Sequence, residues 1–489
     1  MRPSHFTSMV TCVVVGTTAF ATTTWSGPAS ATAGHAHPYS SLTKVSQDPY
    51  SGGGAQHATE AEPDTLAHGD TVVSAFQVGR YSDGGSVDTG WATSVDKGQT
   101  WTNGFLPGIT VAEGGQWARV SDPAVAYDAK HGKWLISGLV LDANVNGRGV
   151  VVSGSSDGTN WDDPVIAAGN DGKSYDKEWI ACDNTATSPH YGNCYVQVDV
   201  TSSGNQVVMV TSSDGGQTWG AQKTPAGSPS GLGGQPLVQP NGTVVVPYSA
   251  NFSSERAFRS TDGGASWTAS VLISNISDHQ VTGMREEPLP SAEMDAAGKV
   301  YVVWDDCRFR SGCSSNDIVM STSSDGITWS AVARIPIDAV NSGADHFTPG
   351  LGVSTIKSGN RTKLGLYYYF YPTASCSQST CQLEVGYVSS KNAGQTWSSP
   401  QTLAGPMMLS WLAQAGGAMV GDYISCSVIG RKAVSVFAVG KAPNGSTKDQ
   451  AMYSAGPLTI TGGTRPARAG DVRFTGKAPK RGYPLPRLP

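Results

Sequence analysis

Charge is scarce in this chain: Asp, Glu, Lys and Arg make up 15% of its 489 residues, and the formal net charge is −5. A surface that binds polyanions needs an excess of basic residues, so nothing here argues for nucleic acid as a partner. Long apolar runs are missing as well. Beyond Val10 to Phe20, no segment approaches the length of a membrane span. Cysteine is sparse, with eight residues and no paired C-x2-C spacing or nearby histidines, which removes the usual zinc patterns. No acidic loop of the EF-hand kind is present.

What the chain does have is 60 glycines and 13 tryptophans, a composition suited to many short strands joined by tight turns. Arg2, the apolar run to Phe20, and the small-residue sites Ala29-Ser-Ala31 and Ala31-Thr-Ala33 read as a secretory signal that contains Cys12. Six of the other cysteines form close pairs, Cys182 with Cys194, Cys307 with Cys313 and Cys376 with Cys381, as local disulfides of an exported protein would. Cys426 is left over and reads as a buried thiol in a strand.

One motif occurs six times. Four copies are full length: Ser94-Val-Asp96-Lys-Gly98-Gln-Thr100-Trp101, Ser212 to Trp219, Ser260 to Trp267, and Ser390 to Trp397 with Asn392 in place of Asp. Two are one residue shorter, Ser155 to Trp161 and Ser323 to Trp329. Each reads as a hairpin turn, in which Asp or Asn holds the amides ahead of it, Gly takes a positive φ, and Thr-Trp starts a strand. Recurrence at such intervals indicates a repeat architecture.

The motif S-x-D-x-G-x-T-W resembles the Asp-box of the sialidase-like, or BNR-repeat, propellers. That resemblance implies an all-β propeller in which the Asp-box is a structural turn remote from the substrate. A second repeat precedes each box, a strand start of the form x-Pro: Glu62-Pro63, Asp122-Pro123, Gln235-Pro236, Leu289-Pro290 and Thr348-Pro349, with Lys177-Glu178 in the remaining slot. Counting these together with Asp422-Tyr-Ile-Ser gives seven four-stranded blades, with a six-bladed sialidase fold as the alternative. Residues 1–33 are then the signal and 34–47 an N-terminal segment whose stretch Leu42 to Val45 could close the ring. Residues 48–461 form the propeller, and 462–489 a basic, Pro-rich, solvated tail.

Strand parity puts the Asp-boxes on one face and the starts of the inner strands on the other. The second face therefore holds the candidate site. Arg80, Arg148, Arg256, Arg308 and Arg310 fall in its loops, and Arg119 and Arg285 just ahead of inner strands. Converging guanidinium groups would bind the carboxylate of an acidic sugar, and Arg119, Arg285, Arg308 and Arg310 are the substrate-binding candidates. Acid, base and nucleophile candidates share the face: Glu62, Asp122, Asp176, Glu178, Glu286, Glu287, Asp305, Asp306, His346 and Asp422, with Tyr175 and Tyr423. Of these Glu178, Tyr423, His346 and Asp122 are the catalytic candidates. Each has a plain structural reading beside it, strand capping for Asp122 and Glu178 and ring packing for Tyr423.

The resemblance implies an exo-glycosidase that uses a Tyr activated by Glu, an Asp acid and three arginines. The family's Phe/Tyr-Arg-Ile-Pro motif is absent, however, since Phe76-Gln-Val-Gly-Arg80 lacks the Ile-Pro, and no family arginine is carried onto a numbered position. Three functions stay open: a secreted, sialidase-like exo-glycosidase for a terminal acidic sugar; a uronate-specific polysaccharide lyase using a His or Tyr base; and a non-catalytic glycan-binding propeller. No cofactor is expected to be required, although inner-strand carbonyls and carboxylates could hold Ca2+. The expected partner is a glycan carrying acidic sugars, and the expected state is an extracellular monomer.

Overall fold

Each Asp-box closes on itself through the same few hydrogen bonds. In the first, Ser94 Oγ accepts from Gly98 N at 2.7 Å, and Asp96 Oδ1 accepts from Gln99 N at 3.0 Å and Thr100 N at 2.9 Å. Asp214 holds Gln217 and Thr218 in the same way, and Asn392 still accepts from Thr396 N at 3.0 Å. The shorter boxes move the bonds by one residue, Asp157 to Thr159 and Asn160, Asp325 to Ile327 and Thr328. Donors concentrated on a carboxylate favour its ionised form. The Thr100 hydroxyl first, then its amide, bring Asp96 down to about 2, and Ser266 does the same for Asp262.

The computed structural model describes residues 42–469. Its strands form successive antiparallel units whose inner strands are Glu60–His68, Arg119–Asp128, Tyr175–Cys182, Leu237–Val238, Ser291–Met294, Asp345–Val353 and Ser427–Ile429. Three further strands follow each inner strand in chain order, except that the third unit's outer strand is reduced to a bridge between Met209 and Lys223. In the last unit Ser427–Ile429 pairs with Lys432–Val434, the chain runs on through Phe437–Asn444 to Thr447–Ser454, and Thr43–Lys44 completes the sheet. The N-terminal segment thus supplies the outer strand of the unit formed by the C-terminal part of the chain.

The inner strands lie against one another in cyclic order, with Ser427–Ile429 beside Glu60–His68. Across that seam Glu62 N donates to Val420 O and Ser427 Oγ to Thr65 O, both at 3.1 Å. The Asp-box glycines repeat the order on the outside. Gly326, at φ +69°, sits so close to the preceding unit that a Cβ would lie 2.8 Å from Val245 Cγ2, and Gly98 of the first unit stands in the same relation to Val434 of the last, at 2.7 Å. Such positions admit only glycine, for conformation and for space. Buried apolar clusters fill the gaps between neighbouring sheets, for example Val73, Trp91, Val125 and Ile136 between the first two. The all-β propeller class that the repeats imply is what the strands build.

The three disulfides are Cys182–Cys194, Cys307–Cys313 and Cys376–Cys381, and Cys426 is free and buried. The proposed signal, Cys12 included, lies outside the described residues, as does the tail beyond 469. The tail does not leave the body at 462 as solvated chain. Arg465–Pro466 pairs with Thr396–Trp397, and Arg468–Ala469 with Ala333–Arg334. Outer strands offer unpaired backbone groups, and this segment satisfies some of them. Among the described residues no helix is long and apolar enough to cross a membrane.

Candidate functional site

The x-Pro repeat has a structural cause that its sequence does not announce. Glu62, Asp122 and Thr348, each directly before proline, have φ of +55°, +50° and +46°, and Lys177 in the equivalent slot has +49°. Each stands at a break in the register of its inner strand. Left-handed backbone is unfavourable for residues with side chains and costs on the order of 1–3 kcal/mol at each position. These bulges insert an extra residue near the start of the inner strand, where the units come closest to the ring axis.

Three of the four side chains are charged, and the fold brings them together with Asp422. Lys177 Nζ pairs with Asp422 Oδ2, and Arg285 grips the same carboxylate at both oxygens, Nε to Oδ1 at 3.0 Å and Nη2 to Oδ2 at 2.7 Å. Asp422 N donates to Glu62 Oε1 at 3.2 Å, and Gln77 Nε2 bonds both Glu62 and, at 3.1 Å, Ser121 Oγ. Arg80, 2% exposed, is held by Gly85 O at 2.8 Å and Gln77 Oε1 at 3.2 Å.

Burial and neighbours drive these groups to different charge states. Burial disfavours ionised Asp422, but Arg285 and then Lys177 outweigh it and hold its carboxyl far below the usual range. Burial, reinforced by Asp122 and Asp422, pushes Glu62 well up. Burial and Asp122 raise Asp176 to about 6, and burial and Asp422 raise Glu287 to about 7.

A cleft of about 410 Å³ opens on the face opposite the Asp-boxes, lined by Arg80, Asp122, Asp176, Lys177, Arg285 and Glu287. A second cavity of about 460 Å³ lies at the Asp-box end of the inner strands, lined among others by His68, Tyr127 and Glu293. Between them is a void of about 20 Å³ walled by Asp122, Lys177, Glu178, Trp179 and Tyr423. The charged cluster therefore plugs the axis and forms the floor of the first cleft.

The sequence candidates divide accordingly. Arg285, Asp122, Asp176, Glu287, Glu62 and Asp422 converge, and Glu178 and Tyr423 sit just beneath the floor. The Tyr423 hydroxyl donates to Pro123 O at 2.9 Å, its ring meets Trp179 edge-on, and burial with Glu62 and Asp122 pushes its ionisation well up. A tyrosine so placed is not poised as a nucleophile. Four other candidates are engaged elsewhere. Arg119 pairs with Asp83 and lies over Tyr81, 4.0 Å from the ring centre. Arg308 holds Asp306 and Ser274, and Arg310 is buried on Asp317 and Asp338. His346, 2% exposed, does not line the cleft: it stacks on Phe370 with ring centres 5.9 Å apart, its other neighbours are Tyr368, Asn316 O and Asp338, and burial lowers its pKa.

Of the remaining arginines, Arg148 pairs with Asp142 and Arg256 with Ser270. Lys177 was not among the functional candidates, although it occupies the slot that Glu62 and Asp122 fill in other units. That shared position was the available signal.

Residues 146–369 match the family described as BNR repeat-like domain. That span carries BNR-type repeats. Among curated proteins none matches it. Among solved structures it is similar to a Hadza microbial sialidase, Hz136, at 19% identity and a TM-score of 0.43, covering 64% of each chain. It is also similar to a Trypanosoma rangeli sialidase in complex with sialic acid, at 13% identity and a TM-score of 0.41 over 84% of this chain and 57% of that one. A Dyadobacter fermentans protein of unknown function is similar at 16% identity and a TM-score of 0.45, over 71% of this chain and 99% of the other. This chain thus spans 64% and 57% of the two sialidases, and no activity passes to it from them.

Proposed function

We propose that the 410 Å³ cleft binds an acidic sugar and that the protein is a secreted, sialidase-like glycoside hydrolase. One observation carries the reading: Arg80 and Arg285 line the same cleft as Glu287 and Asp176, whose carboxyls are raised to about 7 and about 6. Glycoside hydrolysis needs a carboxyl that still carries its proton near neutral pH to protonate the leaving oxygen. Glu287 fills that role, with Asp176 as the second carboxyl. The two guanidinium groups supply the charge that an anionic sugar requires. Asp422 is fully buried and acts by fixing Arg285 and Lys177. Three disulfides support export. The residue that favoured the uronate-lyase reading, His346, does not line the cleft.

The test is to incubate the protein with fluorogenic sialosides, glucuronides and neutral glycosides. Release from an acidic substrate is expected, with kcat falling above about pH 7 as Glu287 loses its proton. Glu287→Gln should lower kcat by about 10²- to 10³-fold with little change in KM. Binding of acidic glycans without turnover, or full activity in Glu287→Gln, would refute the hydrolase assignment.

A further inference from the structure

Among the described residues, two groups of three metal-ligating side chains lie off the axis, and they differ in one respect. Asp317, Asp338 and His346 form the first, and Arg310 and Arg334 both pair with Asp317 and Asp338, so the carboxylates there already have their counter-charge. Asp278, Glu286 and Asp305 form the second, with ligand oxygens all within 4.8 Å of one another. The main influences on Glu286 and Asp305 are burial and other carboxylates, with no arginine or lysine among them. Arg308, three residues on from Asp305, is held by Asp306, and His279 is paired with Asp345.

Asp305 is fully buried, and no donor bonds either of its carboxylate oxygens or Glu286 Oε1; the two carboxyls lie against each other instead. Glu255, also fully buried with both oxygens unpartnered, adds a further negative charge felt by Asp305. Asp345 acts on Glu286 as well. A buried carboxylate with no donor and no cation is costly, and only two arrangements relieve it: protons shared among the acids, or a bound metal ion.

The surroundings suit an ion. Asn316 Nδ2 donates to Asp278 Oδ1 at 3.1 Å and to His279 O at 2.7 Å, which fixes the segment carrying Asp278. Cys307 N donates to Ser277 O at 2.6 Å, and the Cys307–Cys313 bridge ties the loop after Asp305 to the same segment. Oxygens on opposite sides of a Ca2+ ion, each about 2.4 Å from it, lie about 5 Å apart, matching the spread seen here. An all-oxygen donor set selects a hard cation over zinc or copper.

We propose that Asp278, Glu286 and Asp305 bind a divalent cation of the Ca2+ type at the fifth unit, between its second strand and the segment that leads into it. Glu286 lies between Arg285 and Glu287, so the ion would also anchor the segment that presents both residues to the cleft. The site stands independently of the hydrolase reading.

The test uses the full chain stripped with EDTA. Adding CaCl2 at pH 8 should raise Tm by several degrees, as any ligand of the native state does, and Tb3+ should show sensitised luminescence that Ca2+ displaces. In Asp305→Asn both responses should vanish, while Tm without metal should match or exceed that of the unsubstituted protein, because a buried charge has been removed. Asp338→Asn should keep both metal responses and controls for general damage. No Tm response to CaCl2 together with no Tb3+ signal would mean that the acids share protons instead, and would overturn the proposal. So would full metal responses in Asp305→Asn.

Discussion

Two features recur around this ring, and they recur in different ways. The Asp-box repeats a chemical identity: Ser, Asp or Asn, and Gly make the same local bonds in six places. The inner-strand bulge repeats a backbone conformation and varies the side chain, which is Glu62, Asp122, Lys177 or Thr348. Where identity repeats, the role is to dock one unit on the next. Where only geometry repeats, a shared scaffold presents different charges to one axis, which is how a symmetric architecture builds an asymmetric site.

The comparison is sharpest at Asp422. Asp422→Ala leaves Lys177 and Arg285 buried without their counter-charge and should cost about 3–5 kcal/mol in urea unfolding. A loss below about 1 kcal/mol would mean that the cluster does not depend on this carboxylate.

Stability should respond to pH next. Burial raises Glu60 to about 7 and Glu293 to about 8, from 4.5 in the unfolded chain. A raised carboxyl contributes stability that is complete below the unfolded value and lost as pH rises through the folded one. Asp422, held low, has the opposite sign, and its contribution is lost as pH falls below about 4. Tm should therefore peak between about pH 4 and 6 and decline toward pH 8, by an amount on the order of 3 kcal/mol in unfolding free energy. A profile flat from pH 5 to 8 would contradict the neutral state of these buried acids.

On the other face, Gly264→Ala forces a side chain onto φ +85° with its Cβ 2.4 Å from Thr211 Oγ1, and should cost about 1–3 kcal/mol. Asp214→Ala removes exposed turn bonds and should cost only about 1 kcal/mol, again by urea midpoint. Both variants should keep kcat per folded molecule. A fall in kcat without loss of stability in either would break the division between a docking face and a charged one.

Much of the outer layer was legible because its contacts are short in sequence. The Asp-box bonds span two to four residues, and the three disulfides span 12, 6 and 5. The arginines were misjudged for the reverse reason. Arg308 finds Asp306 two residues away and Arg310 finds Asp317 seven away, local pairs that use up the very groups expected to reach the axis. Arg119 meets Asp83 from the preceding unit, 36 residues earlier, and His346 lies at a packed position that its residue type does not signal.

By itself the sequence determined the repeated turn that closes each unit and the cysteine pairing, since each depends on residues within about a dozen positions of one another. Only the tertiary structure decided which charges meet. Lys177 lies 245 residues from Asp422 and Arg285 lies 137 from it. Their energies depend on separation and burial, which chain order does not contain until the ring brings its units together.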